Sequence, residues 1–208
     1  MIISHSHRFI FIANGRTGSK SIESALAHLH DQSDLDSPTQ GLYTRGHIPP
    51  IMLRQRLPAQ VWNSYKKFMF VRNPWDWVIS QYFYNLERKF WPVARLGRKT
   101  RLTPWDITRL FEHLKQYRAI PEADSLFQST YAYNDDGTCL VDYIGRFEYL
   151  QRDFSDIMNR FGIPAALPKL NTSPHGEFQL YYTDDTIKLV ADLYAVDIAN
   201  FNYQWNMG

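Results

Sequence analysis

The residues best suited to chemistry stand together in Gly15-Arg-Thr-Gly-Ser-Lys-Ser21, which holds two glycines, three hydroxyls and two cations. Gly15 and Gly18 let a backbone close in on a ligand, Thr17, Ser19 and Ser21 supply hydroxyl donors, and Arg16 and Lys20 supply positive charge. These types suit a phosphate or sulfate; the plainer alternative is a solvated basic turn ahead of a helix. A second set lies downstream, where Arg72 ends an apolar run and Ser80 follows about two helical turns on. Arg72 and Ser80 suit an anion again, or else a buried Arg–carboxylate pair beside an ordinary helix serine. Between the sets lies His47, in Tyr43-Thr-Arg-Gly-His-Ile-Pro-Pro-Ile-Met52. A lone histidine is more often structural than catalytic, so its types and spacing alone do not make it a base.

The elements that must position these residues are legible around them. Phe9 to Ala13 form a continuous apolar run that predicts a buried strand, Asn14 to Ser19 are turn formers, and Ile22, Leu26 and Leu29 recur at helical spacing to about His30. At such a strand–loop–helix junction the first helical turn offers unpaired N–H groups and the positive end of the dipole. Phe68 to Val71 predict a second buried strand, with Pro74 in the first turn of a helix continued by Trp77, Val78, Gln81 and Tyr82. Thr103-Pro-Trp-Asp106 starts a further helix buried through Ile107, Leu110, Phe111 and Leu114, and Asn134-Asp-Asp-Gly137 is a turn. Leu140 to Phe154 read as a strand leading into a helix. Thr183 caps the last helix, buried through Ile187, Val190, Leu193 and Tyr194.

Composition bounds the rest. A chain of 208 residues with 44% hydrophobic and 15% aromatic residues is expected to be one globular domain, 1–208. A formal charge of +2 is too small to imply a nucleic-acid partner, so an anion site must come from local clustering. The single cysteine, Cys139, excludes an internal disulfide and is expected to be a buried small hydrophobe. His5 and His7 precede the first predicted strand without Cys or acidic partners at ligand spacing, and the acidic pair at 135–136 lacks calcium-loop spacing, so no metal is expected. With no long apolar segment, the expectation is a cytoplasmic protein without stable membrane insertion. The polar, acidic stretch 31–38 reads as a linker.

Two known loop types compete for residues 14–21. The nucleoside-triphosphate P-loop, Gly-x-x-x-x-Gly-Lys-Ser/Thr, agrees at Lys20-Ser21 but has Asn14 and Ser19 where its glycines belong. Gly15 to Ile22 instead resembles throughout the 5′-phosphosulfate-binding loop of sulfotransferases. Phe-Val-Arg-Asn-Pro-Trp-Asp-Trp-Val-Ile-Ser-Gln-Tyr, 70–82, resembles that family's 3′-phosphate-binding motif, in which a strand-end Arg and a helix Ser hold the phosphate. Gly46-His-Ile-Pro49 stands between them, as does the histidine base of the carbohydrate and heparan 2-O sulfotransferase branch. Gly145-Arg-Phe-Glu148 resembles a structural segment of the family, and Asn171-Thr-Ser173 its Asn-x-Ser loop near the nucleotide.

The resemblance, running from residue 8 to about 203, implies an α/β fold: a P-loop-like three-layer sandwich with a central parallel sheet flanked by helices. It implies 3′-phosphoadenosine 5′-phosphosulfate as donor, a hydroxyl acceptor with a glycan foremost, and no metal. It implies His47 as general base with Arg16 and Lys20 catalytic, and Gly15 to Ser21, Arg72, Ser80, Asn171 and Ser173 binding the nucleotide. The family commonly has Lys where Arg16 stands and Thr or Ser where Lys20 stands, which leaves open which of the two replaces that lysine. Arg88 to Arg101, six cations interleaved with Phe90 and Trp91, suit either an acceptor-binding rim or a solvated loop. Gln128 to Tyr133 suit the lining of an acceptor cleft. A P-loop kinase or hydrolase would want an acidic strand end for Mg²⁺, where this chain has Arg72. A non-catalytic nucleotide- or sulfated-glycan-binding module is the other alternative. Spacing leaves the acceptor open among polysaccharide, glycolipid and small phenol, and leaves oligomeric state open.

Overall fold

The computed structural model describes residues 1–29, 47–88, 99–120, 123–124, 126–168 and 175–206. Asn171, Ser173, the stretch 31–38 and most of the basic tract lie outside them. In chain order the elements are β1 (Ile2–Ser4), β2 (Phe9–Phe11), α1 (Ser19–Leu26), α2 (Pro50–Arg56), α3 (Ala59–Ser64), β3 (Lys66–Val71) and α4 (Pro74–Glu87). Then follow α5 (Pro104–Arg118), the hairpin strands β4 (Ala119–Ile120) and β5 (Ala123–Asp124), β6 (Tyr143–Arg146), α6 (Leu150–Phe161), α7 (Asp184–Leu193) and α8 (Ala195–Phe201). They fall into two compact units, Met1–Val71 with Gln128–Asn171, and Arg72–Phe127 with Thr172–Gly208.

The first unit holds a four-stranded sheet of order β1-β2-β3-β6, in which β2, β3 and β6 run parallel and β1 pairs antiparallel with β2. Residues 9–13 and 68–71 are buried on both faces, as continuous apolar strands of a parallel sheet must be. The ladder pairs Phe11 with Phe68 and Phe70 with Gly145, and Ile12 N–H donates to Phe68 O at 2.9 Å, beyond the end of β2. On one face Phe161 of α6 stacks on Phe9 at 5.9 Å and meets Phe68 edge-on at 5.7 Å. A Cβ on Gly145 would lie 2.3 Å from Phe70 Cε1, so only glycine lets that ring lie across β6.

Several expectations for this unit need correction. The first strand is β1, three residues long, so His5 and His7 lie in the turn between β1 and β2 rather than ahead of the sheet. His5 Nδ1 lies 2.6 Å from Tyr65 Oη, and His7 is exposed. The first helix ends at Leu26 and passes into a 3-10 turn, Ala27–Leu29, because Ala27 and His28 face solvent and no apolar stripe holds a longer helix. Cys139 is exposed rather than buried. Exposed Thr138 and Cys139 give way to buried Leu140 and Val141, and Cys139 pairs with Tyr133 in an isolated antiparallel bridge.

The second unit packs helices and the short β4–β5 hairpin. In α4, Trp75, Trp77, Val78, Ile79, Tyr82 and Phe83 are all buried, the pattern of a helix enclosed on every side. The same core contains Ile107, Leu110 and Leu114 of α5, Val190 of α7 and Tyr194. Thr183 caps α7 in a reciprocal box with Thr186, and Asp184 and Asp185 sit at the positive end of its dipole. The chain is thus an α/β protein with a four-stranded, mostly parallel sheet. Among the described residues no helix is long and apolar enough to cross a membrane.

Candidate active site

The anion loop sits where β2 hands the chain to α1. Gly18 takes φ +83 immediately before the helix, and a Cβ there would lie 2.7 Å from Leu150 Cδ2 at the start of α6. Arg16 is also left-handed, at φ +66, a conformation that costs a non-glycine residue energy. The turn is braced from within: Thr17 Oγ1 donates to Asn14 O at 2.9 Å, and Ser19 Oγ donates to the same carbonyl. Asn14 is itself tied down, its Nδ2 donating to Gln128 Oε1 at 3.4 Å.

This division of labour defines what the loop can bind. A hydroxyl has one proton to donate, so Thr17 and Ser19 in this arrangement spend theirs on loop geometry. No side chain caps α1; Ser21 and Ile22 N–H donate to Gly18 O at 3.0 and 3.2 Å, so the helix start turns the N–H groups of Ser19 and Lys20 toward any anion held there. Arg16 is half-buried, Lys20 exposed and Ser21 buried, so positive charge lies at the loop surface. Gln128, in a 3-10 turn over Gln128–Tyr131, belongs to the segment expected to line an acceptor cleft, and its Oε1 accepts from Asn14 Nδ2.

His47 belongs to the same unit and is exposed, with its Nδ1 3.0 Å from Ala13 O at the root of the loop. A carbonyl can only accept, so Nδ1 carries the proton and in the neutral ring the basic lone pair is on Nε2. Ile48 and Pro49 are buried and lead into α2, which fixes the approach of the chain to the loop.

Arg72 and Ser80 belong to the second unit. Asn73 caps α4 by accepting from Trp75 N–H at 3.1 Å, and Pro74 takes the first helical position. Arg72 is 3% exposed, and its Nε donates to Asp76 Oδ2 at 2.6 Å. The Arg–carboxylate pair set out as the plainer alternative is therefore present. It takes the Nε edge of a planar five-donor fork, and the two Nη groups occupy the other edges. Ser80 is fully buried four residues beyond Asp76, on the same helix face. Sequence reasoning passed over Asp76 as a partner, although its i,i+4 spacing from Arg72 was the signal.

The described ends of the basic tract are engaged in structure. Arg88 lies over the Tyr84 ring at 4.7 Å. Lys99 donates both to Oδ1 of the buried Asp106, at 2.7 Å, and to its Oδ2, at 2.9 Å. Burial pushes the Asp106 carboxyl up, but hydrogen bonds from Lys99 and Thr103 outweigh it and hold it below the usual carboxylate range. Burial and the nearby Asp106 charge push the Tyr82 phenol up to about 12. Arg146, expected as a fold-stabilising residue, donates its backbone N–H to Asp153 Oδ2 at 2.7 Å. Among the described residues no group of three or more His, Cys, Asp or Glu could hold a metal ion.

An uncapped helix start at the end of a parallel strand, with a histidine hydrogen-bonded at its root, suits the holding of a phosphate or sulfate group. The chain belongs to the sulfotransferase family: a profile described as "Sulfotransferase family" matches residues 1–204. It is similar to carbohydrate sulfotransferase 14 of Danio rerio, with 26% identity over 234 residues that cover 98% of this chain and 62% of that protein. The chain thus spans less than two thirds of that relative's length. It is also similar to an uncharacterized protein of Archaeoglobus fulgidus, with 26% identity over 133 residues, 64% of this chain and 98% of that protein. No solved structure gives a significant match.

Proposed function

We propose that the chain moves a sulfuryl group from 3′-phosphoadenosine 5′-phosphosulfate to a hydroxyl of a carbohydrate acceptor. Family membership and the likeness to a carbohydrate sulfotransferase support the reaction class and the acceptor class. The observation that carries the mechanism is the hydrogen bond from His47 Nδ1 to Ala13 O. It leaves Nε2 to take the acceptor's proton as the acceptor oxygen forms its bond to sulfur. The donor supplies the sulfuryl group and a phosphate leaving group. Backbone N–H groups along the loop from Gly15 to Ser21 hold the 5′-phosphate, and Arg16, with Lys20 behind it, offsets charge growing on the bridging oxygen. Arg72 and Ser80 hold the 3′-phosphate and so select this nucleotide over ATP. Protein cations meet the electrostatic demand, so the reaction in this reading needs no metal.

Calorimetric titration with 3′,5′-diphosphoadenosine, beside ADP and ATP with and without Mg²⁺, tests the donor. The wild type should bind the 3′-phosphorylated nucleotide without metal, and Arg72→Ala should weaken it about 10- to 100-fold, the loss typical of a charged hydrogen-bond partner. A preference for Mg²⁺–ATP would discard the sulfotransferase mechanism and return the loop to a variant kinase P-loop.

A further inference from the structure

The turn that carries Arg72 is fastened from the far end of the chain. Asn73 is fully buried and its side chain is held at both ends: Oδ1 accepts from Trp75 N–H, and Nδ2 donates to Gln204 O at 3.1 Å, 131 residues away. Trp75 is held in turn, its Nε1 donating to Ile187 O at 3.0 Å and its carbonyl accepting from Tyr182 Oη at 2.8 Å. Asn202, at φ +50, turns the chain out of α8 and delivers Gln204 and Trp205 to this point. The Trp205 ring meets three others edge-on: Trp75 at 5.8 Å, Tyr182 at 5.1 Å and Phe178 at 5.3 Å. The family profile ends at residue 204, so Trp205 lies outside the matched span.

We propose that Tyr203–Trp205 is a positioning element for Arg72, with the Gln204 carbonyl and the Trp205 ring fixing Asn73-Pro74-Trp75 and thereby the direction of the guanidinium. The inference rests on the assignment of Arg72 to the 3′-phosphate. Arg72 is bonded to Asp76 in the first turn of α4, and that turn is located by Asn73 and Trp75, the two residues the tail grips. A planar fork recognises phosphate only at close tolerance in angle and distance, so a loosened first turn loses the 3′-phosphate before anything else. Trp205 and Asn73 thus act through Arg72 and set nucleotide preference.

The test compares Kd for 3′,5′-diphosphoadenosine and for adenosine 5′-phosphate, which differ only in the 3′-phosphate, on the full chain. Wild type, Trp205→Ala, Trp205→Phe and Asn73→Ser are each checked for folding by far-ultraviolet circular dichroism. Trp205→Ala should lower the preference for the 3′-phosphorylated ligand about tenfold, a change of about 1.4 kcal/mol, with affinity for adenosine 5′-phosphate nearly unchanged. Trp205→Phe, which keeps edge-on packing, should retain most of the preference. Asn73→Ser keeps an oxygen to cap α4 but removes the longer amide arm whose Nδ2 reaches Gln204 O, and should show the same fall as Trp205→Ala. If Trp205→Ala does not fold, Asn73→Ser decides, because it leaves the aromatic cluster whole. A wild-type preference in folded Asn73→Ser, or an equal loss for both nucleotides, would overturn the positioning role. A wild type without any 3′-phosphate preference would remove the functional assignment of Arg72, and this inference with it.

Discussion

A histidine serves as a base through one ring nitrogen, and its other nitrogen's partner decides which. At His47 that partner is Ala13 O, the carbonyl just ahead of the candidate anion loop, so orientation and tautomer are set by the backbone that leads into that loop. The same economy applies to Asn14, whose carbonyl gathers the Thr17 and Ser19 hydroxyls and whose amide reaches Gln128. If the proton of the acceptor alcohol passes to His47, His47→Ala should lose about 10² to 10⁴ in turnover, the usual contribution of a positioned base. Donor affinity should stay nearly unchanged, because the proposed anion donors are backbone N–H groups and cations rather than this ring. Single-turnover kinetics beside equilibrium binding of 3′,5′-diphosphoadenosine would check both halves. Equal losses in turnover and affinity would make His47 a structural prop of the loop.

Three helices, α4, α5 and α7, are fastened by side chains at their first turns. In α4 the start is capped by Asn73 and tied by Arg72 to Asp76; in α7 Thr183 and Thr186 cap each other. The start of α5 depends on Asp106, which is fully buried and accepts from Lys99 Nζ, Thr103 N–H and Thr103 Oγ1. Because these bonds keep its pKa below the unfolded value, near 3.9 for an ordinary Asp, the sign of the linkage is fixed. The contribution is fully present above that unfolded value and is lost as pH falls through the lower folded one. Asp106→Asn keeps the shape but removes the charge and rearranges the donors, and should cost about 1–3 kcal/mol at neutral pH. Below about pH 4 the difference should shrink, since the wild-type carboxyl then binds a proton on unfolding. Urea melts of both proteins at pH 7, 4 and 3 would show the two curves converging. Parallel curves across that range would mean that the Asp106 carboxylate contributes nothing as a charge.

At the scale of the molecule, what the sequence discloses and what it hides differ in sequence separation. Strands β2 and β3 are legible because Phe9–Ala13 and Phe68–Val71 are continuous apolar runs bounded by turn formers, and the anion loop because its glycines, hydroxyls and cations are neighbours in the chain. β1 escapes notice because three residues are too few to show a period, and Cys139 because it stands between polar Thr138 and apolar Leu140, which does not decide which face it takes. The bonds from Asn14 to Gln128 and from Asn73 to Gln204 span 114 and 131 residues, and no local pattern foretells them. A ligand that engages only the folded arrangement of these residues must stabilise it by mass action. At 100 times its Kd, 3′,5′-diphosphoadenosine should therefore add about 2.7 kcal/mol of stability. For a chain of this length that should raise Tm by roughly 5–10 °C. If the phosphates are met by Arg16, Lys20 and Arg72, as proposed, the shift should persist in EDTA. At the same free concentration adenosine 5′-phosphate should give a smaller shift, the gap reporting the 3′-phosphate contacts alone. A melt raised by Mg²⁺–ATP and untouched by the 3′-phosphorylated nucleotide would place the chain's chemistry with ATP rather than with the sulfuryl donor.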